Sequence, residues 1–227
     1  MRTSPVLSRL AGIDHGFGNR DDDMAAQFPR TWAGRAIQHE RHGTRIAVIE
    51  RAGEDCGEAD GMLTERPSVL LAIATADCAP VLLARRDGGA VAALHVGWRG
   101  AFEGIVDAFA HLVAGRGERP GDWLAAIGPT AGACCYEVSD DVIAGFRQRY
   151  PIAPELLAPL PRRLNLPGVV RWQLGRAGLG AVSNAAACTM CARGANGFVY
   201  HSYRRDRETR LPGLDTQWSA IARVGAM

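Results

Sequence analysis

Two short apolar runs, at residues 81–84 and 90–94, give the clearest structural signal in the chain. Between them lies the sequence Arg-Arg-Asp-Gly-Gly, and an Asp-Gly-Gly turn between apolar runs predicts a β-hairpin. Cys78 precedes the first run and His95 follows the second. We therefore expect the hairpin to bring Cys78 and His95 to the same end of a sheet.

The remaining pattern predicts further strands at residues 46–49, 68–74, 123–127, 198–203 and 216–224. Apolar residues recur at helical spacing from Ile105 to Val113, which predicts an amphipathic helix ending at one of the glycines that follow. A second helix is predicted from the N-cap residue Ser139 to about residue 149, and a third over residues 169–178. Residues 1–40 are expected to form loops or short edge structure.

Composition limits the class of protein. A chain of 227 residues, 47% hydrophobic and 22% charged, can bury the core of one large domain. No apolar run reaches membrane-spanning length and the N-terminus lacks the apolar core of a signal peptide, so we expect a soluble cytoplasmic protein. Six cysteines are too few for a disulfide scaffold and favour thiols or metal ligands. The net charge of +2 gives no reason to expect a nucleic-acid partner.

All 26 basic residues are arginines, which excludes lysine Schiff-base chemistry and a P-loop lysine. An anionic substrate must then be held by arginines, backbone N–H groups or a metal ion. Arg99 lies in a glycine-flanked turn between a predicted strand and a helix, which suits an anion. Arg204 and Arg205 follow another predicted strand, where paired arginines can clamp phosphate.

Cys78 and His95 suit two kinds of chemistry. A thiolate beside an imidazole can bind a metal ion, or it can act as a nucleophile with its base. Asp77 indicates that the strand end beside Cys78 is polar and partly open. Glu137 is a further candidate acid or base, on the condition that it faces Cys78.

The other cysteines include two close pairs. Because adjacent cysteines cannot easily bind one metal ion together, Cys134 and Cys135 are expected in a packed loop with at most one functional thiol. Cys188 and Cys191 have the CxxC spacing of a zinc or redox site, but no second CxxC completes a four-thiolate site. We therefore expect a structural turn at this second pair.

Several motifs together resemble the YfiH/YlmD-like laccase-domain family, in the same order and over nearly the whole chain. They are His42-Gly43, Thr75-Ala76-Asp77-Cys78, His95-Val96-Gly97-Trp98-Arg99-Gly100, Gly128-Pro129 with Cys134-Cys135-Tyr136-Glu137-Val138, and Ser202-Tyr203-Arg204-Arg205-Asp206. The resemblance implies a single α+β domain over residues 1–227, with a mixed β-sheet core flanked by helices. It also implies a zinc site with His42, Cys78 and His95 as ligands.

Members of this family were described first as polyphenol oxidases and later as zinc-dependent purine nucleoside enzymes with phosphorylase and adenosine deaminase activities. The resemblance therefore implies a purine nucleoside and phosphate as ligands, and zinc, or copper in its place, as the cofactor. Asp77 or Glu137 would transfer protons. The candidates for binding substrate or phosphate are Arg99, Arg204, Arg205 and Cys135. Neither nucleic acid nor a membrane is expected as a partner, and the oligomeric state is not predicted.

Three other functions stay open. In a cysteine hydrolase or amidase, Cys78 would be the nucleophile and His95 the base, which leaves His42 without a role. A copper oxidase is possible because two histidines and a cysteine also suit copper, but a laccase needs a further cluster of histidines. The remaining histidines are too few for that cluster: His15, His39, His111 and His201. Finally, zinc with a fourth protein ligand would be structural, in a protein that binds a partner.

The chain departs from the family pattern in three places. The segment between Arg20 and His42 is shorter and lacks the usual glycine-rich loop. Glu40-Arg41 stands where a glutamine and an apolar residue are common, and Glu208-Thr209-Arg210 replaces Thr-Gly-Arg. These changes spare the expected zinc ligands and bear on the substrate pocket and its activity.

Overall fold

Short strands dominate the first half of the chain, and most of the helices follow them. The computed structural model describes residues 1–211 and 215–224. Its strands are β1 (Ile13–Phe17), β2 (Ile37–His39), β3 (Ile46–Val48), β4 (Asp55–Glu58), β5 (Gly61–Thr64), β6 (Leu70–Thr75), β7 (Ala79–Arg85), β8 (Val91–Val96), β9 (Trp123–Ile127), β10 (Val182–Asn184), β11 (Arg193–Gly194), β12 (Gly197–Phe198) and β13 (Gln217–Arg223). Its α-helices are α1 (Met24–Gln27), α2 (Trp98–Glu103), α3 (Ile105–Gly115), α4 (Asp140–Arg149), α5 (Pro154–Leu157) and α6 (Leu166–Arg176).

The predicted hairpin forms the centre of the larger sheet. β7 and β8 pair antiparallel, with Pro80 opposite His95. The six strands of this sheet lie in the order β10-β9-β7-β8-β5-β3, in which the outermost pair at each edge is parallel and the inner pairs are antiparallel. The expectation of a mixed sheet is confirmed.

Both faces of the larger sheet are covered, which explains the unbroken apolar runs in its central strands. Val81 and Leu83, on one face of β7, share a core with residues of α3, α4 and α6. Leu82 and Ala84, on the other face, share a second core with residues of β1, β6 and β13. The helices therefore cover one side of the sheet and a second sheet covers the other, and the predicted α+β class is confirmed.

The second sheet contains three strands in the order β1-β13-β6. β13, which corresponds to the strand predicted at residues 216–224, lies in the middle and pairs antiparallel with both neighbours. In its register, Ile221 stands opposite His15 on one side and Leu71 on the other. The end of the described chain therefore lies between two strands from its first third.

One glycine breaks the helix that follows His95. α2 and α3 meet at Gly104, whose φ of 97° is a left-handed conformation that favours glycine. α3 is the predicted amphipathic helix, and it buries Phe109 and Val113. Its end at Gly115 confirms the predicted stop.

The strand predicted at residues 198–203 is wrong. Only the short β12 pairs, with β11, and the chain then turns. Side chains accept the N–H groups that a strand would have used: Asp206 accepts from Ser202 at 3.3 Å, and Asp77 accepts from Arg204 at 2.7 Å. The segment therefore forms a loop that returns to the end of β6.

The other predicted elements are present with small shifts at their ends. The runs at residues 46–49, 68–74 and 123–127 correspond to β3, β6 and β9. The second and third predicted helices correspond to α4 and α6. Within residues 1–211 and 215–224, no helix combines the length and the apolar character that crossing a membrane requires.

Candidate metal centre and substrate cleft

Three potential metal ligands meet at one end of the larger sheet. Cys78 directly precedes β7 and His95 lies in β8, so the hairpin brings them together as predicted. His42 comes from the loop before β3. One ligand atom from each of the three residues lies within 4.8 Å of the other two.

The loop that carries His42 is held by one carboxylate. Asp60 accepts backbone N–H groups from Arg41, His42 and Gly43, at 3.1, 2.7 and 2.7 Å. These bonds fix His42 in a left-handed conformation, with φ of 62°. The imidazole ring then lies edge-on to that of His95, with the ring centroids 4.8 Å apart.

Asp60 also orients His95. Its Oδ1 lies 2.9 Å from Nδ1 of the ring, and because an ionised carboxylate only accepts, the ring donates Nδ1–H and keeps Nε2 for a metal. Burial on its own would raise the pKa of Asp60, but hydrogen bonds from His95 and Gly43 lower that pKa to about 2. Sequence reasoning missed Asp60, since an aspartate before a short strand carries no distinguishing pattern.

A side chain cannot be accommodated at Gly97. A Cβ atom there would lie 2.8 Å from Cδ2 of His42 and 3.0 Å from Sγ of Cys78. The glycine between β8 and α2 is therefore required by the close approach of two ligand residues.

Cys78 and His95 shift one another's protonation. Burial would raise the pKa of Cys78, but the charge of His95 and a hydrogen bond with His42 lower it to about 7. Burial would lower the pKa of His95, but Cys78 and Asp60 raise it above its ordinary value. The thiolate is therefore accessible near neutral pH, as both metal binding and nucleophilic attack require.

Asp77, predicted to transfer protons, is engaged by hydrogen bonds from two distant loops. Its carboxylate accepts from Oγ1 of Thr189 at 2.6 Å, Oγ of Ser202 at 3.0 Å and the backbone N–H of Arg204 at 2.7 Å. The residue is 5% exposed, and its φ of 87° is left-handed. Asp77 therefore holds these loops beside Cys78.

A cleft of about 430 Å³ opens at the three ligands, which is a size typical of small-molecule sites. Two carboxylates line it, those of Glu40 and Asp77. The arginines and aromatic residues of its lining are Arg99, Arg204, Arg210, Trp98, Tyr136 and Tyr203. Because three arginines face two carboxylates in this lining, positive charge predominates in the cleft.

Two of the arginines predicted to bind phosphate reach this cleft. Arg204 donates from Nη1 to the carbonyl oxygen of Glu137 at 2.7 Å, and its guanidinium lies 5.3 Å from the ring centroid of Tyr136. The guanidinium of Arg99 lies 4.6 Å from the ring of Trp98. Each of the two guanidinium groups therefore lies beside an aromatic ring of the cleft lining.

Three other predicted site residues are not part of the cleft lining. The carboxylate of Glu137 pairs with Arg162 at 3.1 Å and borders a neighbouring groove, so the condition that it face Cys78 is not met. Arg205 donates to the carbonyl oxygen of Thr189 at 2.9 Å and pairs with the next residue in the chain. The Sγ atom of Cys135 lies in a separate cluster of cysteines.

That cluster brings together two cysteine pairs that the sequence analysis treats as separate, and it places the adjacent thiols of Cys134 and Cys135 on one side of their loop. The Sγ atoms of Cys134, Cys135, Cys188 and Cys191 all lie within 4.8 Å of one another. The pairs meet because Thr130 and Cys188 form a parallel β-bridge between their loops. The sequence treats them as a packed loop and a separate turn because 57 residues separate Cys134 from Cys191.

Glu40 lies in the cleft beside His95. Its Oε2 is 3.7 Å from Nδ1 of that ring. Burial raises the pKa of Glu40, although the charge of His95 acts in the opposite direction. A carboxyl group that keeps its proton to higher pH can act as an acid in the cleft. The sequence marks Glu40 only as a departure from the family pattern.

A sequence profile of the family described as multi-copper polyphenol oxidoreductase laccase matches residues 19–215. The chain belongs to this family. The matched region includes the three potential metal ligands and the arginines of the cleft, and the resemblance inferred from the motifs is confirmed.

Named relatives agree with this membership. The purine nucleoside phosphorylase YlmD of Geobacillus stearothermophilus is 37% identical over 188 residues, which cover 74% of this chain and 66% of that protein. A purine nucleoside phosphorylase of Deinococcus radiodurans is 35% identical over 202 residues, which cover 89% of this chain and 72% of that protein. The crystal structure of YlmD from Geobacillus stearothermophilus has a TM-score of 0.82 at 26% identity, over 95% of this chain and 93% of the other.

The family's description names several copper ions, but the potential metal ligands in the described part of this chain do not form a multi-copper site. Among the residues that the structure describes, potential metal ligands form two clusters of three or more side chains. One contains His42, Cys78 and His95, and the other consists of four cysteines. His15 accepts the backbone N–H of Ser4 at 2.8 Å, and His39 lies 3.4 Å from Asp55. A trinuclear copper site built from histidines therefore has no ligand set in residues 1–211 and 215–224.

Proposed function

We propose that this laccase-family protein is a zinc-dependent purine nucleoside phosphorylase, which uses phosphate to split a nucleoside into free base and ribose-1-phosphate. The observation that carries the proposal is a set of three metal ligands in a cleft lined by three arginines. The names of the two relatives, both purine nucleoside phosphorylases, supply the substrate class.

The donor set of His42, Cys78 and His95 suits zinc. Zn²⁺ binds imidazole nitrogen and thiolate sulfur, and three protein ligands leave a fourth position open, as in catalytic zinc sites. Asp60 supports this assignment because it leaves Nε2 of His95 free. Bound zinc would supply Lewis-acid activation of an oxygen atom. Copper is the second candidate metal, since the same donors suit it.

Phosphate binding is assigned to Arg99 and Arg204. A guanidinium binds phosphate through paired N–H donors, and the bond from Arg204 to the carbonyl of Glu137 uses one of its five N–H groups. During phosphorolysis a phosphate oxygen forms a bond to C1′ of the ribose while the bond from C1′ to the base nitrogen breaks. The two arginines hold the attacking dianion beside C1′, and Arg210 adds positive charge to the cleft.

The departing base must gain a proton, and Glu40 is the proposed donor. Its carboxyl group lines the cleft and burial raises its pKa. Asp77 and Glu137, the donors expected from sequence, are engaged by other groups. Tyr203, which is 51% exposed and lines the cleft, offers a ring face on which a purine can stack.

Adenosine deamination is a second activity that the same residues support. In that reaction water adds at the carbon that bears the amino group, and ammonia leaves. An open metal position beside a carboxyl group suits this chemistry, because water must be activated and protons must be moved. Deamination consumes no phosphate, which separates the two activities experimentally.

The test is incubation of zinc-quantified protein with adenosine and with inosine, each with and without phosphate, followed by chromatography of the products. Phosphate-dependent release of free base supports phosphorolysis, and phosphate-independent inosine from adenosine supports deamination. Cys78→Ala should abolish both, whereas Cys56→Ser, which changes a cysteine of β4 outside both clusters, should keep them. Protein with a full complement of zinc and no turnover contradicts the proposal.

The phosphate site has its own test. Arg204→Gln should raise the KM for phosphate by about 10-fold or more, because a hydrogen bond between charged groups is lost. Arg207→Gln is the matched control, since Arg207 is exposed in the same loop and does not line the cleft. An unchanged phosphate KM after replacement of both Arg99 and Arg204 contradicts the assignment.

One observation favours a cysteine hydrolase instead. Cys78, His95 and Asp60 form a chain of thiol, imidazole and carboxylate, which is the order of nucleophile, base and orienting group in such enzymes. Chelation separates the two functions. Nucleoside phosphorolysis that is lost on metal removal and restored by zinc supports the phosphorylase. Hydrolytic activity that survives in metal-free protein and is lost on alkylation of Cys78 supports the hydrolase.

A further inference from the structure

A second group of metal-binding side chains lies apart from the proposed active site. Cys134 and Cys135 come from the loop after β9, and Cys188 and Cys191 from the loop before β11. Their four Sγ atoms lie within 4.8 Å of one another, and all four are free thiols. The cluster shares no residue with the set of His42, Cys78 and His95.

The spacing of the sulfur atoms matches a tetrahedral metal site. With zinc–sulfur bonds of about 2.3 Å, the sulfurs of a tetrahedral site lie about 3.8 Å apart. Sγ of Cys134 lies 3.6 Å from Sγ of Cys191, close to that value and well beyond the disulfide length of about 2.05 Å. Four soft sulfur donors favour Zn²⁺ over hard cations such as Mg²⁺ and Ca²⁺.

Backbone hydrogen bonds hold the two cysteine loops together. The N–H of Thr130 donates to the carbonyl of Ala187 at 3.1 Å, and the N–H of Thr189 donates to the carbonyl of Thr130 at 3.1 Å. Sγ of Cys188 accepts the N–H of Gly132 at 3.4 Å. The thiols therefore converge on a frame that is already built, so little reorganisation opposes binding of an ion.

We propose that Cys134, Cys135, Cys188 and Cys191 bind one Zn²⁺ ion in a closed four-thiolate structural site, in addition to the ion in the cleft. Tyr136, which lines the cleft, directly follows one cysteine pair, and Thr189, which donates to Asp77, lies within the other. The ion would join the loop that follows β9 to the loop that precedes β11. With all four positions taken by protein, it would have no place for substrate or water.

The test is the zinc content of purified protein, measured by inductively coupled plasma mass spectrometry. We expect two zinc ions per chain in the wild type and in the control Cys56→Ser. The double variant Cys134→Ser/Cys191→Ser should keep one, and so should His42→Ala/Cys78→Ala, which removes the other site. A cysteine-cluster variant with the same zinc content as the wild type overturns the proposal, and so does iron in place of zinc.

A second measurement covers the case in which the cysteine-cluster variant does not fold. X-ray absorption at the zinc edge of folded His42→Ala/Cys78→Ala protein reports on the remaining ion alone. Four sulfur neighbours at about 2.3 Å support the proposal, and nitrogen or oxygen neighbours overturn it. Because this variant lacks the proposed catalytic site, the result is independent of whether the chain is a phosphorylase.

Discussion

Nδ1 of His95 lies 2.9 Å from Oδ1 of Asp60, and each residue is 2% exposed. The same carboxylate accepts three backbone N–H groups from the loop that carries His42. One buried acid therefore sets the position of two of the three candidate ligands. The third ligand, Cys78, depends on the hairpin instead.

We expect Asp60→Asn to reduce zinc affinity by about 10–100-fold, because the amide cannot reproduce the acceptor contacts that orient both histidines. The free energy of unfolding should fall by roughly 2 kcal/mol, the order of magnitude given by the lowered pKa of the carboxylate. Zinc competition with a chromophoric chelator and urea unfolding measure the two effects. Asp21→Asn, at an exposed carboxylate, is the control and should change neither. Wild-type zinc affinity in Asp60→Asn would show that the carboxylate does not orient the ligands.

Acid should remove the contribution of Asp60 to stability. The pKa of Asp60 is about 2 in the folded protein, below its ordinary value of 3.8. A group whose pKa is lowered on folding stabilises the folded state above its unfolded pKa, and it loses that contribution as the pH falls toward the folded pKa. The difference in unfolding free energy between wild type and Asp60→Asn should shrink as the pH falls from about 5 to about 2. Urea unfolding at a series of pH values checks this, and a difference that persists undiminished to the lowest pH contradicts it.

In metal-free protein, Cys78 should react with iodoacetamide at half its maximal rate near pH 7, since the pKa of its thiol is lowered to about 7. Cys56 is the internal comparison, because burial raises the pKa of that thiol. Peptide mass spectrometry after timed alkylation follows both cysteines in one sample. Added zinc should protect Cys78 and leave Cys56 unchanged. Identical pH profiles for the two thiols would rule out activation of Cys78 by its neighbours.

Asp77→Asn separates a positioning role from proton transfer. Asparagine tolerates the left-handed φ of 87°, so the substitution changes only the carboxylate. We expect a loss of about 2–4 kcal/mol in unfolding free energy, because three donors lose a buried charged acceptor. Ser202→Ala, which removes one of the three bonds, should cost about 1 kcal/mol. The pH profile of kcat/KM should keep both limbs in Asp77→Asn, and loss of one limb would assign proton transfer to Asp77.

The parts of this molecule that sequence predicts are those set by local patterns. The hairpin follows from a turn and two apolar runs that are adjacent in the chain, and with it the meeting of Cys78 and His95. Asp60 could not be found in this way, because its contact with His95 spans 35 residues and depends on the pairing of β5 with β8.

Sequence patterns also fail to distinguish neighbouring residues of one loop. Arg204 and Arg205 are equivalent candidates in the sequence, yet Arg204 lines the cleft and Arg205 bonds to the loop of Thr189. The two side chains point to different places because the backbone N–H of Arg204 donates a hydrogen bond to Asp77, which is 127 positions away in the sequence. The cysteine cluster was missed for a related reason, since two loops far apart in sequence meet only through the bridge of Thr130 with Cys188.

The central place of β13 has a consequence for synthesis of the chain on the ribosome. Its neighbours β1 and β6 come from the first third of the sequence, so the smaller sheet cannot close until residue 223 has emerged. The hairpin of β7 and β8 has only local contacts, so it can form as soon as residue 96 has emerged. We expect a nascent chain to present Cys78 and His95 while the loop of Arg204 is still being made. Each molecule would then carry its candidate metal ligands in place before its cleft is complete.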